Sequence, residues 1–357
     1  MSGAAVGARA LELPEGAVQV RQLASGEESR WDAFVESCPE ATFFHRVGWK
    51  AVIEQAFGHS TFFLLAESDG AVQGVLPLAR IRSRLFGDAL ISTPFCVYGG
   101  VAAYHDAVRL ALEEKAEALA VDLGVDYLEL RNRARRRNDW PTKDLYVTFR
   151  KEISADPEEN LRAIPRRQRA MVRKGIQAGL RSEEDEDVDR LFDAYSQSVL
   201  NLGTPVFSRT YFRTLKEVFG KDCEILTITK EGRTISSVLS FYFRDEVLPY
   251  YGGGTAEARE LKANDFMYWE LMSRAGERRV RVFDYGRSKR DTGSYSFKKN
   301  WGFVPEPMPY QYRLVRAREV PDISPLSPKY RLFVKWWRRL PLPVSRTLGP
   351  LISRNLG

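Results

Sequence analysis

Cysteine and histidine are scarce in this chain, with three of each among 357 residues. Cys38, Cys96 and Cys223 stand far apart and form no Cys-x-x-Cys or Cys/His spacing, which excludes a disulfide framework and argues against a zinc site. They are expected to be buried structural thiols in a reducing cytosol. His45, His59 and His105 share no metal-ligand spacing and read as packing or surface residues, so no metal is expected. No stretch approaches the roughly eighteen apolar residues of a membrane span. Residues 1–16, MSGAAVGARALELPEG, lack the apolar region of a secretory signal and read as disordered. A GxGxxG fingerprint, a P-loop and the recognised nucleic-acid modules are missing as well. A cytoplasmic protein, soluble or peripheral at the inner face of a membrane, is the expectation.

What the chain does have is positive charge and a repeat. Its 54 Lys and Arg exceed 47 Asp and Glu by seven, and the pI is near 9.2, which suggests an anionic partner such as a phosphorylated ligand, nucleic acid or lipid headgroups. The length suffices for two domains with their own cores. Helices are expected at Trp31–Glu36 and Gly48–Phe57, then a hairpin of 61–66 and 72–81 around Ser68-Asp69-Gly70, the turn Tyr98-Gly99-Gly100, a long helix from Asp106 and a strand at Val125–Leu130. The same parts recur in the same order after residue 185. Helices at Leu191–Leu200 and Tyr211–Phe219 precede a hairpin of 224–229 and 234–243 around Glu231-Gly232, the run Tyr250–Gly254, a helix at Asn264–Glu277 and a strand at Val280–Tyr285. Two copies of one α+β unit are therefore expected, each a mostly antiparallel mixed sheet flanked by helices, at 17–150 and 185–318. Between them, 151–184 reads as a basic linker helix, with Arg162, Arg166, Arg167, Arg169, Arg173 and Lys174 beside an apolar stripe.

The stretch Val280–Trp301, VRVFDYGRSKRDTGSYSFKKNW, reads as a short buried strand running into a Gly- and Ser-punctuated loop that carries both signs of charge. Loops of this kind, held by a rigid scaffold, are common homes for functional residues. Asp284, at the strand end, can orient Lys298, accept from Arg287 or assist an acceptor amine; the bland alternative is an ion pair with Arg287. Tyr285, Ser288, Ser294 and Tyr295 offer hydroxyls to a substrate. No histidine lies nearby and no nucleophile–base pair is apparent, which favours direct transfer over a covalent intermediate. The run Tyr251-Gly252-Gly253-Gly254 precedes a helix and can present backbone N–H groups to a phosphate, with Arg259 and Lys262 adding charge; the alternative is a Gly-rich strand exit. The remainder, 319–357, reads as a Pro-rich linker and a basic aromatic tail. Its segment 329–340 suits either an interfacial helix on an anionic membrane or a tail folded back on the second unit.

The tandem repeat, the paired Tyr-Gly-Gly turns, the basic linker and the closing FDYGRSKRDTGSYSFKKNWGF together resemble the FemAB branch of the GNAT-like acyltransferases over about Trp31–Leu314. RAMVRKGIQAGL and FDYGRSKRDTGSYSFKKNWGFVPEPMPYQY resemble in particular the FemAB-like proteins associated with exosortase and PEP-CTERM loci among exopolysaccharide genes. The resemblance implies transfer of an acyl or aminoacyl group to an amine or hydroxyl of a cell-envelope or exopolysaccharide precursor, with acyl-CoA or aminoacyl-tRNA as donor and no tightly bound cofactor. The helical insertion of several tRNA-using relatives is missing. It also implies that Phe297-Lys298 is the family's Phe-Lys pair, with the lysine at the reacting ester, and that an acceptor cleft lies between the units. On that reading Lys298, Asp284 and Phe297 are catalytic. Tyr251, Gly252, Gly253, Gly254, Arg259 and Lys262 bind the donor. Arg46, Trp49, Tyr98, Arg209, Arg287 and Ser294 bind an anionic, phosphorylated acceptor. A monomer is expected. The reading from another class is a non-catalytic basic protein that binds membrane or nucleic acid.

Overall fold

The computed structural model describes residues 16–83, 86–320 and 328–357. The N-terminal segment expected to be disordered, except Gly16, and positions 321–327 of the Pro-rich linker lie outside the described residues. The first half runs β1 (Gln19–Gln22), α1 (Glu28–Ser37), α2 (Gly48–Phe57), β2 (Ser60–Ser68), β3 (Ala71–Ser83), β4 (Gly87–Ser92), β5 (Ala102–Ala103), α3 (Asp106–Asp122), β6 (Tyr127–Leu130) and β7 (Thr142–Glu152). After α4 (Pro157–Ala163) and α5 (Arg166–Gln177) come β8 (Arg181–Asp185), α6 (Asp189–Leu202), α7 (Arg209–Phe219), β9 (Cys223–Lys230), β10 (Arg233–Phe243), β11 (Glu246–Gly254), α8 (Ala263–Glu277), β12 (Val282–Asp284), β13 (Ser288–Lys289), α9 (Gly293–Asn300) and β14 (Pro305–Leu314). The tail holds α10 (Pro328–Trp337) and α11 (Leu342–Ser353).

The repeat is present and its punctuation is local. Both hairpins turn on two residues of positive φ, Asp69-Gly70 and Glu231-Gly232, the geometry that matches the twist of the flanking strands. α2 buries Trp49, Val52, Ile53 and Phe57 along one face and stops at Gly58, whose φ of 69° is left-handed. The basic linker is two helices rather than one. Pro165 disfavours helical backbone at the residue before it, and Ile164 accordingly sits extended with ψ of 134°.

The strands form one mixed sheet in the order β1-β2-β3-β4-β6-β14-β7-β12-β11-β10-β9-β8. Its centre is a reciprocal exchange: β14, last of the second half, pairs with β6 of the first, and β7, last of the first, pairs with β12 of the second. β7 and β14 then pair with each other. Each half contains one parallel pair, β4 with β6 and β11 with β12. The second pair is bonded only at Glu246–Val247 against Val282–Phe283, so the strands part beyond those residues. A shared core seals the halves: Phe43 stacks on Phe241 with ring centroids 4.3 Å apart, and Phe44, Trp49 and Phe219 pack around them. All three cysteines are buried and free.

Candidate active site

The stretch expected to be a loop ends as a helix. Thr292 caps α9 by accepting from the Tyr295 N–H. One turn on, Phe297 and Trp301 face the second core, with Trp301 fully buried. Lys298 therefore leaves a helix and reaches back to the end of β12, where its Nζ donates to the carbonyls of Gly286 (2.9 Å) and Arg287 (3.1 Å). The rings of Phe149 and Tyr285 lie 5.6 Å from the ammonium. Loss of water pushes the Lys298 pKa down to about 7; the Asp284 charge opposes the shift and the Arg287 charge adds to it.

Asp284 is completely buried. Its carboxylate accepts from Tyr98 Oη (2.9 Å), Thr148 Oγ1 (3.2 Å) and the Gly286 N–H (2.8 Å), and Arg150 Nε stands 3.4 Å away. The donors come from the loop after β4, from β7 and from the next turn of its own chain. The ion pair with Arg287 is not formed. Arg287 instead donates to Tyr310 Oη (3.0 Å) and lies over the Tyr146 ring at 4.6 Å, and Tyr310 donates to the Val97 carbonyl (2.6 Å). A carboxylate engaged in this way orients the turn that holds Lys298. Tyr98 thus links the first half to Asp284 of the second. Ser294, exposed, donates to Ser288 Oγ (3.0 Å).

Other expected site residues lie elsewhere. Gly252–Gly254 belong to β11 and pair with Val238–Ser236 of β10. A side chain at Gly253 would meet the α6 backbone at Tyr195, 2.5 Å away, so close packing of α6 accounts for that glycine; at Gly254 it would meet Ala258 Cβ at 2.6 Å, and the Gly254 N–H donates to Ser198 Oγ (2.8 Å). Tyr251 is buried among aromatic rings and shares a hydrogen bond with Tyr211. Arg259 and Lys262 do flank the start of α8, where Lys262 donates to the Arg259 carbonyl (3.0 Å). Trp49 is core and donates to the Phe43 carbonyl. Arg46 pairs with Asp222 at 2.7 Å and ties the halves together. Arg209 pairs with Asp189 and lies over the Phe192 ring.

One group of residues was missed. Where β4 and β6 part, Tyr98–Gly100, His45, Arg131, Arg133 and Arg136 line a cavity of about 220 Å³. Arg131 is fully engaged with Glu129 and the Cys96 carbonyl (2.7 Å each), whereas the Arg133 guanidinium lies over the Tyr98 ring at 5.5 Å. Gln311 of β14 holds this loop by accepting from the Arg136 N–H (2.8 Å) and donating to the Arg137 carbonyl (2.6 Å). The signal was available: RNRARRR follows β6 at the repeat position where the stretch from Gly286 follows β12. His45 is buried, bonded to Thr42 and the Gly100 carbonyl, and desolvation lowers its pKa to about 4.

A tandem pair of units, each with a splayed parallel strand pair, is the GNAT acyltransferase fold, and the family profile of the acetyltransferase (GNAT) domain matches residues 160–299. That match runs from within α4 into α9 and includes Lys298. Among solved structures, FemX superposes with a TM-score of 0.65 at 16% identity over 88% of this chain and all of that one. A tandem GNAT protein from the clavulanic acid pathway, determined without acetyl-CoA, gives 0.54 at 13% identity over 85% of this chain and all of that one. The C-terminal domain of a putative lysylphosphatidylglycerol synthetase from Agrobacterium fabrum gives 0.53 at 12% identity over 80% and 90%. No curated protein sequence matches significantly.

Proposed function

We propose that this protein transfers an acyl or aminoacyl group directly from an activated ester to an amine or hydroxyl, with Lys298 supplying the positive charge for the developing oxyanion. The observation that carries the reading is the placement of the Lys298 ammonium: a half-buried cation, held by two carbonyls at the point where β11 and β12 part, inside the segment that matches the GNAT domain. In such a site a fixed charge contributes most when it meets charge that appears only in the transition state. Acyl-CoA is the proposed donor, its phosphates at the start of α8 beside Arg259 and Lys262; aminoacyl-tRNA is the second reading. The buried Tyr285 hydroxyl, which has no partner among the described residues, is a further contact for the donor. The acceptor is proposed to enter from the first half through the cavity at Tyr98, with Arg133 meeting an anionic group of a phosphate-bearing envelope or exopolysaccharide precursor, as the FemAB resemblance implies.

The test is thermal stabilisation by acetyl-CoA, longer acyl-CoAs, free CoA and charged tRNA, followed by transfer assays with the donor that binds. A CoA ester should raise the melting temperature of wild type and of Lys298→Met alike, and Arg259→Ala with Lys262→Ala should lose the effect. Lys298→Met should lower kcat on the order of 10²–10³-fold, the usual cost of one oxyanion donor. A shift with charged tRNA alone would move the donor to aminoacyl-tRNA; transfer by Lys298→Met at the wild-type rate would remove the lysine from the mechanism.

A further inference from the structure

The net charge of the chain resides in its tail. Seven of the 54 Lys and Arg fall in residues 328–357, which hold no Asp or Glu, and the rest of the chain balances 47 basic residues against 47 acidic ones. α10 sorts its residues by face. Trp337 is fully buried, and Val334 closes on the end of α6, where a side chain at Gly203 would come within 2.5 Å of it. On the outer side Leu332 is 72% exposed and Trp336 55%, one helical turn apart. Arg331, Lys335, Arg338 and Arg339 flank them, all exposed, and Arg331, Lys335 and Arg339 form no ion pair with another described residue. Leu202, 64% exposed at the end of α6, shares a groove with these four cations.

Trp336 is also the one exposed tryptophan of seven: five others are buried and Trp269 is half-buried. Large apolar side chains set among unpaired cations need a partner that is anionic at its surface and apolar just beneath it. An anionic lipid bilayer has both layers, with phosphate for Arg and Lys, the headgroup boundary for the indole and the acyl region for leucine. A nucleic acid supplies phosphate and a stacking face but no apolar depth for Leu332 and Leu202. No helix among the described residues is long and apolar enough to cross a membrane, so contact of this kind lies along the surface.

We propose that the outer face of α10, with Leu202, docks on anionic lipid bilayers. The inference stands apart from the chemistry at Lys298.

The experiment is co-sedimentation of the full chain with vesicles of phosphatidylcholine alone or mixed with phosphatidylglycerol, together with tryptophan quenching by lipids brominated on the acyl chain. The protein should sediment with the mixed vesicles and not with phosphatidylcholine, and quenching should disappear in Trp336→Ser. Arg331→Glu with Lys335→Glu and Arg339→Glu should weaken partitioning by 100-fold or more, on the order of tenfold or less per cation removed and further for each reversal. All four positions are exposed, and an unchanged melting temperature verifies that the variants fold. Equal sedimentation with both vesicle types, or undiminished binding by the triple variant, would overturn the proposal. So would failure to bind vesicles alongside binding of a short RNA that the triple variant abolishes, which would make the surface a nucleic-acid site.

Discussion

A lysine-acylating reagent tests the electrostatics of Lys298 without knowledge of either substrate. With a pKa near 7, Lys298 is about half neutral at pH 7, whereas an ordinary exposed lysine near 10.4 is neutral to about 0.04%. The neutral amine is the nucleophile, so Lys298 begins with an advantage on the order of 10³ in reactive fraction, part of which its lower basicity and partial burial give back. The pH dependence is free of those two corrections. Under trace labelling with acetic anhydride, read by mass spectrometry, modification of Lys298 should rise through pH 7 and level off about one unit above it, while the exposed neighbour Lys299 serves as reference on the same peptide. Asp284→Asn should move the Lys298 midpoint further down, because the Asp284 charge supports the ammonium. A Lys298 rate that keeps rising alongside the reference up to pH 10 would refute the desolvated-ammonium account.

Two further outcomes concern stability. His45 stays neutral in the fold to about pH 4, whereas the unfolded chain protonates it near 6.5. Stability should therefore fall as pH drops through that window, by about 1.4 kcal/mol per unit; His45→Gln should flatten this limb in urea titrations, and an equally steep limb would exclude His45 as its source. Gly253→Ala places a methyl 2.5 Å from the Tyr195 Cα and 2.6 Å from the Ala194 carbonyl, atoms that move only if α6 lifts, at a cost of about 1–3 kcal/mol or more. Gly293→Ala, with nothing within 4 Å, should melt as wild type does; so should Gly253→Ala if packing is not the reason for the glycine.

Much of the architecture was legible because it is encoded locally. Turns at Asp69-Gly70 and Glu231-Gly232, the apolar stripe of α2 and the spacing of the repeat all act within a few residues of themselves. β7 and β14 escaped notice because their partners are remote: neither Thr142–Glu152 nor Pro305–Leu314 has a short hairpin turn to a neighbour, and pairing across the whole chain leaves no local pattern. The site divides the same way. Lys298 and Asp284 stand in one sequence stretch and do come together. Arg46 and Arg209 have partners, Asp222 and Asp189, that are apparent only in three dimensions. Gly253 packs its backbone against α6, and a glycine chosen for approach to a helix is indistinguishable in sequence from one chosen for a ligand. The tail folds back on both halves, α11 and its C-cap meeting Ser196 and Val206 of the second and Phe57 and His59 of the first, while the outer face of α10 is exposed.

The exchange of β7 and β14 sets a schedule for synthesis. When the first half has left the ribosome, β6 still has an open edge, and it stays open until Pro305–Leu314 emerges. The nascent chain must carry an unfinished sheet while residues 131–304 are added, with β7 waiting for both of its neighbours. Chains that stop between β6 and residue 305 share that defect. One exposed strand edge therefore distinguishes a chain that holds Pro305–Leu314 from one that stops short of it, and the two repeats, though copies of each other, complete their sheet together.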